Sequence, residues 1–283
     1  MERHDTQGGA ARPLIVHIGV QKTGTTSLQR FLKRNADALS DRLIIRTPEE
    51  GTPMRPLGRA AIAASLGDSD DLRKALRTAF EDVLDTIPDG PQTVLISHEN
   101  LAGAMPGNGG ETQLYPALPR MLKVLNTVAQ ARGFDPYYVF YTRKMAAWKP
   151  SVWAQAVRTD GYAERREVFL ETVSDLPGWG DLQRRLAKVL GKDRVTRLPL
   201  ETETDPDRPG RQLLELAGLE PDRIDALPAL KGRAMERLNG GSTEFLRQLN
   251  GLALNPHARD RVVDLVTRSQ FLFTADMPSE GTL

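Results

Sequence analysis

Apolar and polar positions along the chain follow two alternating rhythms. Short apolar runs stand at 14–18, 43–45, 94–96 and 137–141, with a weaker one at 194–198. Runs this short, bounded by Gly, Pro or polar residues, fit strands buried on both faces. Between them apolar positions recur at helical spacing over 72–84 and 114–131, and at Leu28, Phe31 and Leu32. Strands alternating with helices predict an α/β fold, a mostly parallel sheet flanked by helices. From 231 onward the pattern is helical and polar, which predicts a helical C-terminal part. Three segments read as loops or lids: 46–56 with Pro48, Gly51, Pro53 and Pro56, the run GAMPGNGG at 103–110, and the acidic, turn-forming 202–210. No repeat or linker divides the chain. The predicted organisation is one domain over 13–273, with flexible tails at 1–12 and 274–283.

Charge narrows the partners. Lys and Arg number 38 against 37 Asp and Glu, a net charge of +1. That balance argues against long nucleic acid or anionic lipid, yet leaves room for a local pocket that binds one small anion. There is no cysteine, which excludes disulfides, thiolate zinc sites and a Cys nucleophile. Residues 1–12 are polar and lack the apolar core of a signal peptide, and no stretch approaches the ~18 apolar residues of a membrane span. A cytoplasmic location without a membrane span is expected.

The most informative segment runs Gly19-Val20-Gln21-Lys22-Thr23-Gly24-Thr25-Thr26, between a predicted strand and a predicted helix. Both glycines match the phosphate-loop pattern G-x-x-x-x-G-K-[ST], but Thr25 stands where that pattern has Lys, and Lys22 comes three residues earlier. The loop keeps its physics. Gly24 lets the backbone approach an anion, the amides of Thr23 to Thr26 face it from a helix N-terminus, and the Thr25 and Thr26 hydroxyls add neutral donors. Strand, Lys-Thr-Gly-Thr-Thr and helix together resemble the 5′-phosphosulfate loop of sulfotransferases that use 3′-phosphoadenosine 5′-phosphosulfate (PAPS). The resemblance implies a P-loop-like sheet. It also implies that Gln21, Lys22, Thr23, Gly24, Thr25 and Thr26 grip the phosphosulfate, with Lys22 stabilising the oxygen that leaves sulfur.

A second block supports the same likeness. Arg143 follows the strand at 137–141 and Ser151 stands eight residues later. The family has such an Arg and Ser on the 3′-phosphate of PAPS and of its product 3′-phosphoadenosine 5′-phosphate (PAP). Arg offers a permanently charged fork and Ser a hydroxyl. The chain departs from the hormone- and phenol-sulfating branch, because Ser27 stands where that branch has a Trp against adenine, and its later Gly-x-x-Gly-x-x-Lys segment is absent. The likeness is therefore to the broader bacterial and glycan-modifying branches.

Transfer to a hydroxyl requires a proton acceptor. The strand at 94–96 ends in Ser97-His98-Glu99-Asn100, so Glu99 is the favoured candidate base and His98 the alternative, and both also suit a loop-anchoring role. His17 reads as a packed strand residue. No metal-ligand cluster is visible, and no metal is expected to be required. The aromatic residues Tyr115, Trp148, Trp153, Tyr162 and Trp179 read as packing before acceptor or adenine stacking, and Arg233 and Asn239 as a solvated helix face before a closure over the donor. The expected acceptor is a small molecule or glycan, hydroxyl or amine. Two other readings remain open on the same loop: an ATP-using phosphotransferase, disfavoured by the displaced Lys, and a non-catalytic nucleotide-binding module.

Overall fold

The computed structural model describes residues 11–107, 111–231 and 238–274. The chain runs through strand β1 (Arg12–His17), helices α1 (Thr25–Arg34) and α2 (Ala36–Leu39), strand β2 (Leu43–Arg46), and helices α3 (Met54–Leu66) and α4 (Asp70–Leu84). Strand β3 (Thr93–Ser97), helix α5 (Leu118–Ala131) and strand β4 (Phe134–Thr142) follow. Next come α6 (Met145–Gln155), α7 (Arg166–Thr172), α8 (Trp179–Leu190) and strand β5 (Val195–Pro199). Helices α9 (Arg211–Leu216), α10 (Pro221–Asp225), α11 (Gly240–Asn250) and α12 (Pro256–Arg268) complete the order.

The five strands form one sheet in the order β2-β3-β1-β4-β5, every pair parallel. The α/β class, the parallel sheet and the helical C-terminal part are as the sequence predicts. Alternate residues divide the sheet between two cores. Leu14, Val16, Val94, Ile96, Tyr138 and Phe140 face one core with α3, α4, α5 and α8. Ile15, Leu95, Val139 and Tyr141 face the other with α1, α2, α9 and α10. The connection after β1 thus crosses one face, while those after its neighbours β3 and β4 cross the opposite face. Right-handed crossovers require this, since only the step from β1 to β2 runs leftward in that order. A crevice opens where such connections part, at the C-terminal end of β1.

Three expectations need correction. The loop at 46–56 is shorter: Arg46 closes β2, and Pro56 lies at the third position of α3. Proline is tolerated there because first-turn amides have no helical partner. The helix expected over 114–131 begins only at Leu118, because Tyr115 adopts φ 49, a left-handed conformation that breaks it. Arg12 belongs to β1 and not to a tail: its Nε donates to Gln92 O at 2.7 Å and its Nη1 to Pro88 O at 2.7 Å. His4, Arg233 and residues 108–110 of the glycine-rich loop lie outside the described residues. Among the described residues no helix is long and apolar enough to cross a membrane.

His17, the last residue of β1, is fully buried. Its Nδ1 shares a 2.8 Å hydrogen bond with Ser97 Oγ, and its ring meets Tyr141 edge-on at 5.5 Å. Burial pushes its pKa down from 6.5 to about 4, against a weaker upward pull from the Glu99 charge. The unfolded chain therefore binds this proton more readily than the fold does. Stability is complete above the unfolded value of 6.5 and declines as pH falls towards 4. The decline should reach roughly 3 kcal/mol. Urea midpoints of the wild type measured across that window should show it, and His17→Asn should flatten the slope; an unchanged slope would contradict the neutral buried ring.

Candidate active site

The loop after β1 is stitched into the sheet before it turns. Ile18 N donates to Val139 O at 2.9 Å, and Gly19 O accepts from Tyr141 N at 2.8 Å. Gly19 then takes φ 98, and a Cβ on it would stand 2.9 Å from Glu99 Cα. Only glycine allows both the conformation and the approach. Lys22 also has positive φ, at 66, and Gly24, at φ 84, forms the N-cap of α1. No side chain caps this helix and no acidic residue stands in its first turn. The amides and the positive end of the dipole are thus presented to an anion.

Within the loop, Thr23 Oγ1 donates to Val20 O at 2.6 Å and Thr25 Oγ1 to the same oxygen at 3.3 Å. Of the two hydroxyls expected to serve an anion, Thr25 braces the loop and Thr26 is exposed. Gln21 is a loop anchor. Its Nε2 donates to Gly103 O at 2.7 Å, its Oε1 accepts from Tyr115 Oη at 2.8 Å, and its carbonyl accepts from Trp148 Nε1 at 2.9 Å.

One cavity of about 920 Å³ joins these pieces. Gln21, Lys22, Gly24, Thr25, Thr26, Glu99, Arg143 and Ser151 all line it, brought together from β1, β3, β4 and α6. Arg143 leaves the end of β4 with its carbonyl held by Trp179 Nε1 at 2.7 Å. Among the described residues its guanidinium makes no hydrogen bond or ion pair. His98 and Thr23 are buried and stand outside the lining.

Glu99 and His98, adjacent in sequence, are separated by the turn they begin. The His98 ring is buried against α3, where a Cβ on Gly58 would clash with its Nε2. Its Nδ1 accepts from Asn100 N at 3.2 Å and so caps the 3-10 turn Glu99–Ala102. Glu99 points into the cavity, its Oε2 accepting from Gln29 Nε2 at 2.9 Å and lying 3.7 Å from His98 Nδ1. Burial raises the Glu99 pKa, but His98 and Gln29 outweigh it and bring the carboxyl to about 2.

Several lining groups carry no motif. Lys22 Nζ donates to Gln155 Oε1 at 3.1 Å. Arg158 lines the cavity from the π-helix Ala156–Asp160 that follows α6, and among the described residues its guanidinium has no partner. Gln29 and Gln155 each stand four residues beyond a site residue, Thr25 and Ser151, so helical periodicity places them on the same face. Arg158 has no such signal, since the wider π turn changes its direction.

The aromatic residues Tyr115, Trp148 and Trp179 are buried, with Trp148 and Trp179 edge to face at 4.7 Å. Among the described residues no aromatic residue lines the cavity. Asn239 caps α11, its Oδ1 accepting from Ser242 N at 2.7 Å while its Nδ2 donates to Gln270 O at 2.7 Å. In the acidic loop at 202–210, Glu203 accepts from Tyr141 Oη at 2.6 Å and from the amides of Gly210 and Arg211, which anchors α9. Among the described residues no group of three or more His, Asp or Glu is placed to hold a metal ion.

Replacing Gly19 tests the approach on which this geometry rests. Gly19→Ala combines positive φ with a backbone clash, so it should destabilise the fold by about 2 kcal/mol in urea titration. Gly51, at φ 75 with open space around it, should lose less on the same substitution. Equal losses would show that the contact with Glu99 costs nothing beyond the dihedral.

No family model matches the chain, and no curated protein matches it. Among solved structures, the sulfotransferase from Alicyclobacillus acidocaldarius is similar over 94% of this chain and 97% of its own, at 15% identity and a TM-score of 0.48.

Proposed function

We propose that the chain is a PAPS-dependent sulfotransferase that moves a sulfuryl group to a hydroxyl or amine. The observation that carries this reading is that two separate groups of the kind that suit anions line one cavity with a carboxylate. The first is the uncapped N-terminus of α1 with Lys22, and the second is Arg143 with Ser151. PAPS bears two anionic ends, a 5′-phosphosulfate and a 3′-phosphate, and the cavity offers one group to each. A nucleoside with only a 5′ chain would leave Arg143 unused. With no aromatic ring among the described lining residues, the flat guanidinium of Arg158 with Ala154 and Leu238 would cover adenine.

In this scheme the loop amides and Lys22 hold the phosphosulfate, and Arg143 and Ser151 fix the far phosphate. Glu99 accepts the proton of the acceptor hydroxyl as that oxygen forms its bond to sulfur. The bond between sulfur and the bridging phosphate oxygen breaks, and Lys22 stabilises the charge left on that oxygen. The products are a sulfate monoester and PAP. Gln155 and Gln29 orient Lys22 and Glu99 through amides that carry no charge of their own.

Calorimetry should show PAP bound in preference to AMP. Arg143→Ala should weaken PAP by about 1.5–3 kcal/mol and AMP far less. Equal affinity for the two nucleotides would remove the role given to Arg143 and Ser151.

Turnover separates chemistry from binding. Lys22→Ala should lower kcat by roughly 10²–10³ with a much smaller change in PAP affinity, because PAP lacks the sulfate. Glu99→Gln should show the same split, and His98→Asn a milder loss. Activity should persist in excess EDTA; loss restored by magnesium would favour an ATP-using phosphotransferase.

A further inference from the structure

One side of the cavity takes no part in holding the donor. Ile62 and Leu66 on α3, with Ala104 and Met105 on the loop after the 3-10 turn Glu99–Ala102, give it an aliphatic lining, and Glu111 stands among them. Leu66 is 75% exposed, unusual for a large aliphatic residue that borders a cavity. A smaller cavity of about 170 Å³ adjoins this side, with Leu66, Ala104 and Glu111 common to both. Ala102, Pro106, Pro116 and Ala117 make most of its remaining wall. Space on this scale takes a six-membered ring or a short alkyl group, since an apolar cavity of about 150 Å³ admits benzene.

The polar groups of this annex are nearly all committed inside the protein. Tyr115 Oη donates to Gln21, as described above. Ser65 Oγ donates to Ile62 O at 2.6 Å and accepts from Ala104 N at 2.8 Å. Glu111 Oε2 accepts from Gly107 N at 3.0 Å, and its other oxygen has no partner among the described residues. Among the described residues no cation lines the annex; Lys22, Arg143 and Arg158 line the main cavity.

We propose that the annex is the acceptor subsite and takes the apolar body of a compact alcohol or amine, neutral or cationic. The remaining oxygen of Glu111 accepts from the polar group beside that body, and Leu66 covers one face of it. An acidic sugar fits poorly on two counts. Its carboxylate would meet Glu111 and Glu99, and its ring hydroxyls would enter a wall that has no free partners for them. The assignment of the annex to an acceptor rests on the sulfotransferase reading, whereas binding of an apolar group there does not.

Saturation-transfer NMR on the full chain, with benzyl alcohol and sodium glucuronate as probes, tests the proposal. Benzyl alcohol should receive saturation and glucuronate should not. Leu66→Asp, at an exposed position that should fold normally, should weaken benzyl alcohol about tenfold, as should Ala117→Phe, which fills the annex. Absence of transfer to benzyl alcohol, glucuronate binding as tightly, or Leu66→Asp leaving benzyl alcohol unchanged would overturn the proposal. PAP calorimetry on the same samples keeps the two readings apart. Benzyl alcohol binding without PAP binding would sink the donor assignment alone, and PAP binding without benzyl alcohol would sink the annex alone.

Discussion

Where β1 ends, the chain at Gly19 runs directly against the backbone of Glu99, within 2.9 Å of any Cβ that might be placed there. Two connections that leave the sheet over opposite faces must pass each other at this point. A side chain would force them apart and widen the turn. Their close passage lets Lys22, from the first connection, and Glu99, from the second, line the same cavity. The bond from Tyr141 N to Gly19 O ties the same residue to β4, whose end delivers Arg143. The loop after β1, the carboxylate and the second cation are thus registered against one another by one glycine.

Beneath the loop, aromatic residues convert core packing into positional precision. Trp148 and Trp179 pack edge to face in the interior, and each sends its single N–H to a backbone carbonyl of the site, Trp148 to Gln21 and Trp179 to Arg143. Tyr115 adds a bond to the Gln21 side chain. A buried indole must find an acceptor or leave its N–H unpaired at a cost of about 1–3 kcal/mol. The acceptors here are the carbonyls whose placement aims the loop and the strand end. Aromatic residues near such a loop invite a stacking role, but burial and these bonds place this group in support of the wall.

The strands and the loop were legible because they depend on local rules. Runs buried on both faces are continuous and apolar, and a turn between strand and helix needs glycine at fixed places. Proline misled at 46–56, since its count suggested a long loop while Pro56 occupies a helical first turn that needs no donor. Tyr115 ended a periodic pattern early through a left-handed conformation that no apolar pattern records. The sequence favoured Glu99 over His98 as base on chemistry alone and gave no contact that tells them apart. Their neighbours in space distinguish them, with Gly58 of α3 enclosing the imidazole and Gln29 of α1 reaching the carboxylate. Such contacts join residues about 40 or 70 positions apart and have no signature in local spacing.

Lys22 and Glu99 in the cavity wall each have a neutral side-chain partner. Gln29 holds Glu99 and Gln155 meets Lys22, so each bond fixes a direction without cancelling a charge. A carboxylate at 155 would draw the ammonium into an ion pair and weaken its hold on an anion, and a cation at 29 would depress the basicity of Glu99 further. The buried imidazole of His17 follows the same logic. With its pKa brought down to about 4 it carries no charge at neutral pH, although it lies beneath the loop and feels the Glu99 carboxylate. A charged ring there would partly neutralise Glu99 from below. The packing of β1 therefore keeps one further positive charge away from Glu99, whose carboxyl already lies at about 2.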